Sequence, residues 1–455
     1  MRRRIMMNEE KSRSDVLSTK KIVAILFISF LLMGCGKGQI DDTVSMPKNM
    51  VEQSPSDLVV EPVQLEFVSL VDCSGPIKSF ASMFNRTSEN ISVHFEQNKD
   101  NRTRILADLT SGKGPDIMLV TYDDMVNLYS KGALVELTTS LAEEDQMMIW
   151  DNIMEYGTID GNYVGVVPYI NGVRTYFARK DMVDAEQWTT EKILKLKESN
   201  SSVDRLLTYQ LGKMDIFFEF YSLVGADLRH TKYIDWEQKI SRFEAEGFDE
   251  LLEAVKEDTE DPSGGVELVK QGKILAYYFP VFSADTLFKA ISDLDEPGTV
   301  VGFPTETGGK SFFYTDGLIV VNKNSKNVEA IAEFLSYILS VKNQLSNPNV
   351  FSVRKDAAKQ AITEQVIYKE DGTVDKTRCL WQYSPGGFLS IPMEASAVQL
   401  QELYEDFMES VYPSGNVDEV FHIIWDEAAS FFEGNKKSID VVRAIDNRIQ
   451  LLLDE

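Results

Sequence analysis

The sequence predicts an α/β protein in which a mainly parallel sheet is covered by helices. Three observations carry this. Apolar runs of strand length alternate with helix-spaced segments from Glu61 onward, turn-forming residues sit at the joints, and no internal repeat or coiled-coil heptad interrupts the alternation.

The elements follow in order. Leu65–Leu70 is a short apolar strand. Pro76 suits the first turn of a helix whose Ile77, Phe80, Met83 and Phe84 recur at helical spacing. Ile91, Val93 and Phe95 alternate as a strand, and Ile105, Leu106 and Leu109 mark a helix stopped at Gly112. Asp116–Thr121 reads as a third strand, with Asp123 or Asp124 as the cap of a helix ending near Gly132. A second alternating stretch starts near Val164 and includes helices over Met214–Val224 and Phe248–Lys256. Ser325 is placed to cap a helix with Val328, Ile331, Leu335 and Ile338 on one face. Two helices close the chain: Val420, Ile424, Ala428 and Phe431 line one, and Val442, Ile445, Ile449 and Leu452 line the other, with Ser438 as its cap.

The 455 residues suffice for two or more domains, and 43% hydrophobic with 10% aromatic residues can fill sizeable cores. Asp and Glu number 72 against 46 Lys and Arg, a net charge of −26. That balance argues against nucleic-acid binding, which needs basic patches against phosphate.

Catalytic signatures are missing from the sequence. His94, His230 and His422 are far apart and without partners at metal-ligand spacing, so each is expected to be a packing or surface residue, and no HExxH, GxSxG, Walker or dinucleotide pattern occurs. The expectation is therefore a non-enzyme without metal or cofactor.

The first residues carry a second message. Arg2, Arg3, Arg4, Lys11, Arg13, Lys20 and Lys21 precede the apolar run Ile22 to Met33. That run is too short for a hydrocarbon core of about 30 Å but suits the apolar region of a secretory signal, about 7–15 residues. It ends in Leu32-Met33-Gly34-Cys35, which resembles the bacterial lipobox. The resemblance implies that residues 1–34 are removed, that Cys35 is acylated, and that residues 35–60 form a polar tether to the membrane. Of the other cysteines, Cys73 and Cys379 are expected as separate buried thiols, although an extracytoplasmic location permits a disulfide.

Several stretches further resemble one family, the extracellular solute-binding proteins of ABC importers that mostly bind carbohydrates. They are LADLTSGKGPD at Leu106–Asp116, the following YDDMVNLYSKGALVELTTSL, and GVVPYINGVRTYFARK at Gly165–Lys180. Trp188-Thr189-Thr190, KQGKILAYYFPVF at Lys270–Phe282, Val301–Val321 with NKNSKNVEAIAEFLSYILS, and the tail FFEGNKKSIDVVRAIDNRIQLLLDE complete the set. Their order and spacing carry the resemblance from about Leu65 to the end.

The resemblance implies two α/β lobes joined by a hinge of several crossings, with lobe one at 61–168 and 305–349 and lobe two at 169–304 and 350–455. A ligand would sit between the lobes, beyond the carboxyl ends of the strands. The expected contacts are residues just after strands or in crossings, where aromatic faces and planar polar groups suit sugars. They are Tyr122 and Asp123, Tyr169 and Asn171 in the first crossing, and Tyr278, Phe279 and Phe282 near a strand end. Phe312, Phe313, Tyr314 and Asp316 in the return crossing and Trp381 in lobe two complete them. Phe312-Phe313-Tyr314 is favoured because three consecutive aromatics cannot all be buried on one strand face. The return crossing lacks the tryptophan that sugar binders of this family often place there, a departure from the family pattern.

The implied function is a lipid-anchored, monomeric receptor that hands a sugar or oligosaccharide to permease subunits. Two further readings remain: a sensory lipoprotein partnering a membrane receptor kinase, and a surface polysaccharide hydrolase.

Overall fold

Four strands, Leu318–Val321, Ile117–Val120, Val63–Ser69 and Ile91–Gln97, lie side by side in that order as a first sheet. This computed structural model describes residues 62–454 apart from 74, 184–186, 210–215, 258–264, 295–297, 347–349, 369, 372–373, 378–382, 385–386, 389–396 and 415–416. Val63 pairs with Ile91 and Phe67 with Ile117 in parallel, while Leu318 pairs with Val120 in the antiparallel sense. Every residue of Ile117–Val120 is fully buried. A strand covered on both faces needs an unbroken apolar run, and IMLV supplies it.

Five strands form the backbone of a second sheet, in the order Phe303–Thr305, Gly308–Tyr314, Gly172–Arg179, Ile274–Val281 and Arg205–Tyr209. Gly298–Val300 joins beside Gly172–Arg179, and Val411–Pro413 joins beside Gly308–Tyr314. The α/β class is as expected, but this second sheet is mixed. Ile274–Val281 runs parallel to Arg205–Tyr209 and antiparallel to Gly172–Arg179, which is also antiparallel to Gly308–Tyr314. Phe303–Thr305 and Gly308–Tyr314 are joined as an antiparallel hairpin, which is one source of the mixed directions.

The sheet assignment also corrects the expected lobe boundaries. Residues 308–314 are hydrogen-bonded within the second sheet, so the return to the first sheet falls between Tyr314 and Leu318, not at 305. Phe351, Val353, Ala358 and Ile362 pack in the cluster that holds Leu65, Phe67 and Leu119, so the chain just past 350 does not sit wholly in the second half.

Helices fill the two cores as their periodicity predicts. Ile77, Phe80 and Phe84 of the Gly75–Thr87 helix enter the first core. Tyr176, Phe220, Phe243 and Phe248 enter the second, together with Val420, Ile424, Ala428 and Phe431 of the Asp418–Phe432 helix. In the last helix, Ser438–Asp454, Val442, Ile445 and Ile449 are buried as expected, but Leu453 is buried and Leu452 only partly so. Two caps differ from expectation. Thr121, not Asp123 or Asp124, caps the Tyr122–Ser130 helix by accepting the Asp124 N–H. Ser325 donates to Asp116 Oδ1 at 2.6 Å instead of capping, and Asn327 occupies the cap position.

Among the described residues no helix is long and apolar enough to cross a membrane. Cys73 is a free, half-buried thiol, which corrects the expectation of full burial; Cys35 and Cys379 lie outside the described residues.

Candidate functional site

The first crossing between the sheets gathers three of the expected residues. Val166 is bridged to Ile319 and Ile170 to Phe351, which fixes the strip between them. Tyr169, 1% exposed, packs against Phe80 and donates its hydroxyl to Asp316 Oδ2 at 2.5 Å. Asn171 Nδ2 donates to Asp316 Oδ1 at the same distance, and its backbone N–H donates to the Tyr314 carbonyl at 2.8 Å. Asp316 stands in the turn that precedes Leu318–Val321. One carboxylate therefore ties the outgoing crossing to the returning one, and a single half-buried acceptor organises both.

At the edge of the first sheet, the loop after Val63–Ser69 places Asp72 and Cys73 beside Gln97 and Lys99. Lys99 Nζ lies 2.6 Å from Asp72, and Gln97 Nε2 donates to the same carboxylate at 2.9 Å. The Cys73 thiol faces Gln97 Oε1 at 3.7 Å. Burial pushes this thiol above its ordinary value of 9.0, a hydrogen bond with Ser69 opposes the rise, and the nearby Asp316 charge reinforces it.

The start of the Tyr122–Ser130 helix faces the second core. Asp124 is buried and paired with Arg102, whereas Asp123 is exposed and meets Arg229 at 2.7 Å. The Arg229 guanidinium also lies 5.6 Å from the centre of the Tyr122 ring, which stacks on Tyr156 at 5.0 Å and 12°. Tyr156 in turn meets Phe313 edge-on at 5.5 Å. Burial raises the Tyr156 phenol far above its usual range.

Arg229 is held by a short 3-10 segment, Gly225–His230, interrupted at Asp227. The buried Asp227 carboxylate takes Lys310 Nζ at 3.0 Å and His230 Nδ1 at 2.7 Å. His230 is thus an exposed ring on an internal ion pair, in keeping with a surface residue. A depression with about 340 Å³ of open space lies over this segment, lined by Thr190, Asp227, His230, Tyr233 and Glu306 among others. None of the residues proposed from sequence lines it. No grouping of His, Cys, Asp and Glu suited to a metal occurs among the described residues.

The remaining expected contacts divide. Phe312 and Phe313, the favoured pair, are 3% and 1% exposed. The reason corrects the expectation. The two-residue period does send them to opposite faces, but both faces of this strand are covered, so Phe312 enters the second core and Phe313 the first. Tyr278, 6% exposed, is likewise a core residue between Tyr176 and Phe303. Phe279 is half-buried against the first core, and Phe282 is exposed, its N–H on Thr286 Oγ1. Tyr314 is half-buried beneath the Arg174 guanidinium, 5.0 Å from its ring centre. Burial raises its phenol and the Arg174 charge opposes the rise. Trp381 lies outside the described residues.

Sequence reasoning missed Arg174, Tyr221, Tyr156 and Arg229. Arg174 carried a weak signal, a cation near the start of a largely apolar strand that also holds Thr175 and Arg179. The other three had none, because their positions depend on how distant segments meet.

Two helix-covered α/β sheets, chain crossings between them tied at Asp316, and an ion pair joining elements of the two cores are the architecture with which comparisons with known proteins agree. The profile described as bacterial extracellular solute-binding protein matches residues 69–345, more than half of the chain. The chain belongs to this family. Solved structures agree on the fold. The extracellular solute-binding protein family 1 member from Alicyclobacillus acidocaldarius is 12% identical, with 87% of this chain and 99% of that one covered and a TM-score of 0.53. The sugar-binding protein MalE from the phytopathogen Xanthomonas citri is also 12% identical, with 86% and 98% covered and a TM-score of 0.53. No curated protein matches the chain in sequence.

Proposed function

We propose that this extracellular solute-binding protein is a lipoprotein that captures a sugar or oligosaccharide between its two halves and delivers it to the permease of an ABC importer. The observation that carries the reading is the meeting of Tyr169 and Asn171 on Asp316 where the chain crosses between the sheets. Hydroxyl, amide and carboxylate groups gathered beside aromatic rings are the complement of a polyhydroxylated ligand. The sugar-binding relative of the same fold supports the ligand class.

Tyr122, Asp123, Asn171, Tyr314, Asp316 and the exposed Phe282 are the residues of this chain proposed to border the ligand, with Trp381 as a further contributor. Cys35 is the proposed lipid anchor, residues 35–60 the tether, and the working unit a monomer. Residues 61 to about 314 and the returning chain divide into two lobes that move about the crossings, so ligand acts by shifting an open–closed equilibrium. The protein binds and releases its ligand unchanged, with no cofactor.

Thermal unfolding of the purified full chain against mono- and oligosaccharides, with peptides, amino acids and polyamines as controls, tests the reading. A ligand present at about 100 times its dissociation constant adds roughly 2.7 kcal/mol and raises the midpoint by a few degrees. A shift by one glycan class, recovered unreacted, is the expected result. A shift by a peptide or amine alone overturns the sugar assignment.

A further inference from the structure

Three interior cations of this acidic chain are matched by carboxylates: Arg354 lies between Asp145 and Asp356, Lys310 against Asp227, and Lys289 against Asp293. Arg174 differs from these three. Among the described residues no carboxylate reaches it, although the chain has 72 acidic residues. Its guanidinium donates Nη1 to the Tyr221 hydroxyl at 3.1 Å and lies 5.9 Å from the Tyr221 ring centre and 5.0 Å from that of Tyr314. Five N–H donors with one neutral acceptor leave most of the fork unanswered.

The placement of Arg174 is equally informative. It is the third residue of Gly172–Arg179, immediately past the crossing that holds Tyr169 and Asn171. Gly172, two residues earlier on the same strand face, has no side chain, and Tyr314 fills that space: a Cβ there would come within 2.8 Å of the Tyr314 hydroxyl. The guanidinium thus sits half-buried between two phenols beside the inter-sheet crossing. Withdrawing a cation from water without a counter-charge is costly, and rings compensate it only in part. A planar fork with free donors matches a carboxylate bidentately.

We infer that Arg174 is the anion-reading residue of the cleft, and that the captured saccharide carries a carboxylate, as a uronate does. This rests on the saccharide reading above and narrows it. The ligand brings the counter-charge that the chain withholds, Tyr314 and Tyr221 orient the fork, and a neutral saccharide leaves the cation uncompensated.

The test is isothermal titration of the full chain in detergent with trisaccharides of galacturonate, guluronate and glucuronate-containing units, beside maltotriose, cellotriose and xylotriose. The expected result is that an acidic trisaccharide binds at least tenfold tighter than every neutral one, and more weakly as sodium chloride is raised. R174Q should abolish this preference and R174K, which keeps charge but not the fork, should retain part of it. R174K also serves if R174Q does not fold. Neutral trisaccharides binding as tightly as the acidic ones overturn this inference and leave the saccharide reading standing. Acidic binding unchanged in both variants overturns the role of Arg174. Failure of all six overturns the saccharide reading and this inference with it.

Discussion

Asp123 and Arg229 meet at 2.7 Å although they belong to opposite halves of the molecule. Asp123 opens a helix whose Met125 and Leu128 sit in the first core, while Arg229 follows Leu228 of the second. The pair therefore links an element of the first core to one of the second. Its side chains are 70% and 38% exposed, so it contributes only about 0.2–1 kcal/mol, screened by salt. Asp123→Ala or Arg229→Ala is expected to weaken ligand binding by up to about fivefold through loss of the closed state. The charge-exchanged pair Asp123→Arg with Arg229→Asp should recover part of it. Titration of the four proteins at low and high salt checks both points.

Replacing Asp316 should loosen the crossing. Asp316→Ala removes the acceptor of both the Tyr169 hydroxyl and the Asn171 amide, and Tyr169 is buried. Losing an interior partner of this kind costs about 1–3 kcal/mol. Denaturant midpoints should fall accordingly, with Asp316→Asn between the two, and ligand affinity should fall more than stability does.

Two glycines give opposite expectations. A Cβ at Gly309 would stand 1.7 Å from the Val301 carbonyl oxygen, an overlap that backbone must move to relieve. A Cβ at Gly132 meets nothing within 4 Å, and only its φ of +67° opposes substitution. Gly132→Ala is expected to cost about 1 kcal/mol, whereas Gly309→Ala should cost several times more. Urea unfolding of the two variants makes the comparison.

Stability should also fall in acid through Asp356. Its hydrogen bond with Arg354 holds the carboxyl below the ordinary 3.8. A depressed folded value means the unfolded chain binds the proton more readily, so this contribution is complete above about 3.8 and disappears as pH drops through the folded value. Asp356→Asn should flatten the part of the midpoint-against-pH curve below about pH 4, and leave the rest parallel to that of the parent protein.

Much of the fold was legible in the sequence because the signals were local. IMLV announces a strand buried on both sides, and Val420, Ile424, Ala428 and Phe431 announce one helix face. The caps were read less well: Asp123 and Asp124 had suitable chemistry two and three positions too late, and Thr121 took the role. Of the expected contacts, Tyr169, Asn171 and Asp316 do meet, although Asp316 lies 145 residues beyond Asn171. Phe312 and Phe313 misled because burial on two faces depends on which layers cover a strand, which no stretch of seven residues encodes. Arg229 and Tyr156 were invisible for the same reason, since each meets a residue far away along the chain.

The strand Leu318–Val321 completes a sheet whose other members end by Val120. Nearly two hundred residues must be made before that edge is covered, so the amino-terminal strands wait, open-edged, for a partner late in synthesis. Such long-range pairing is intrinsically slow. The first sheet therefore acquires its last strand only after most of the chain has been made.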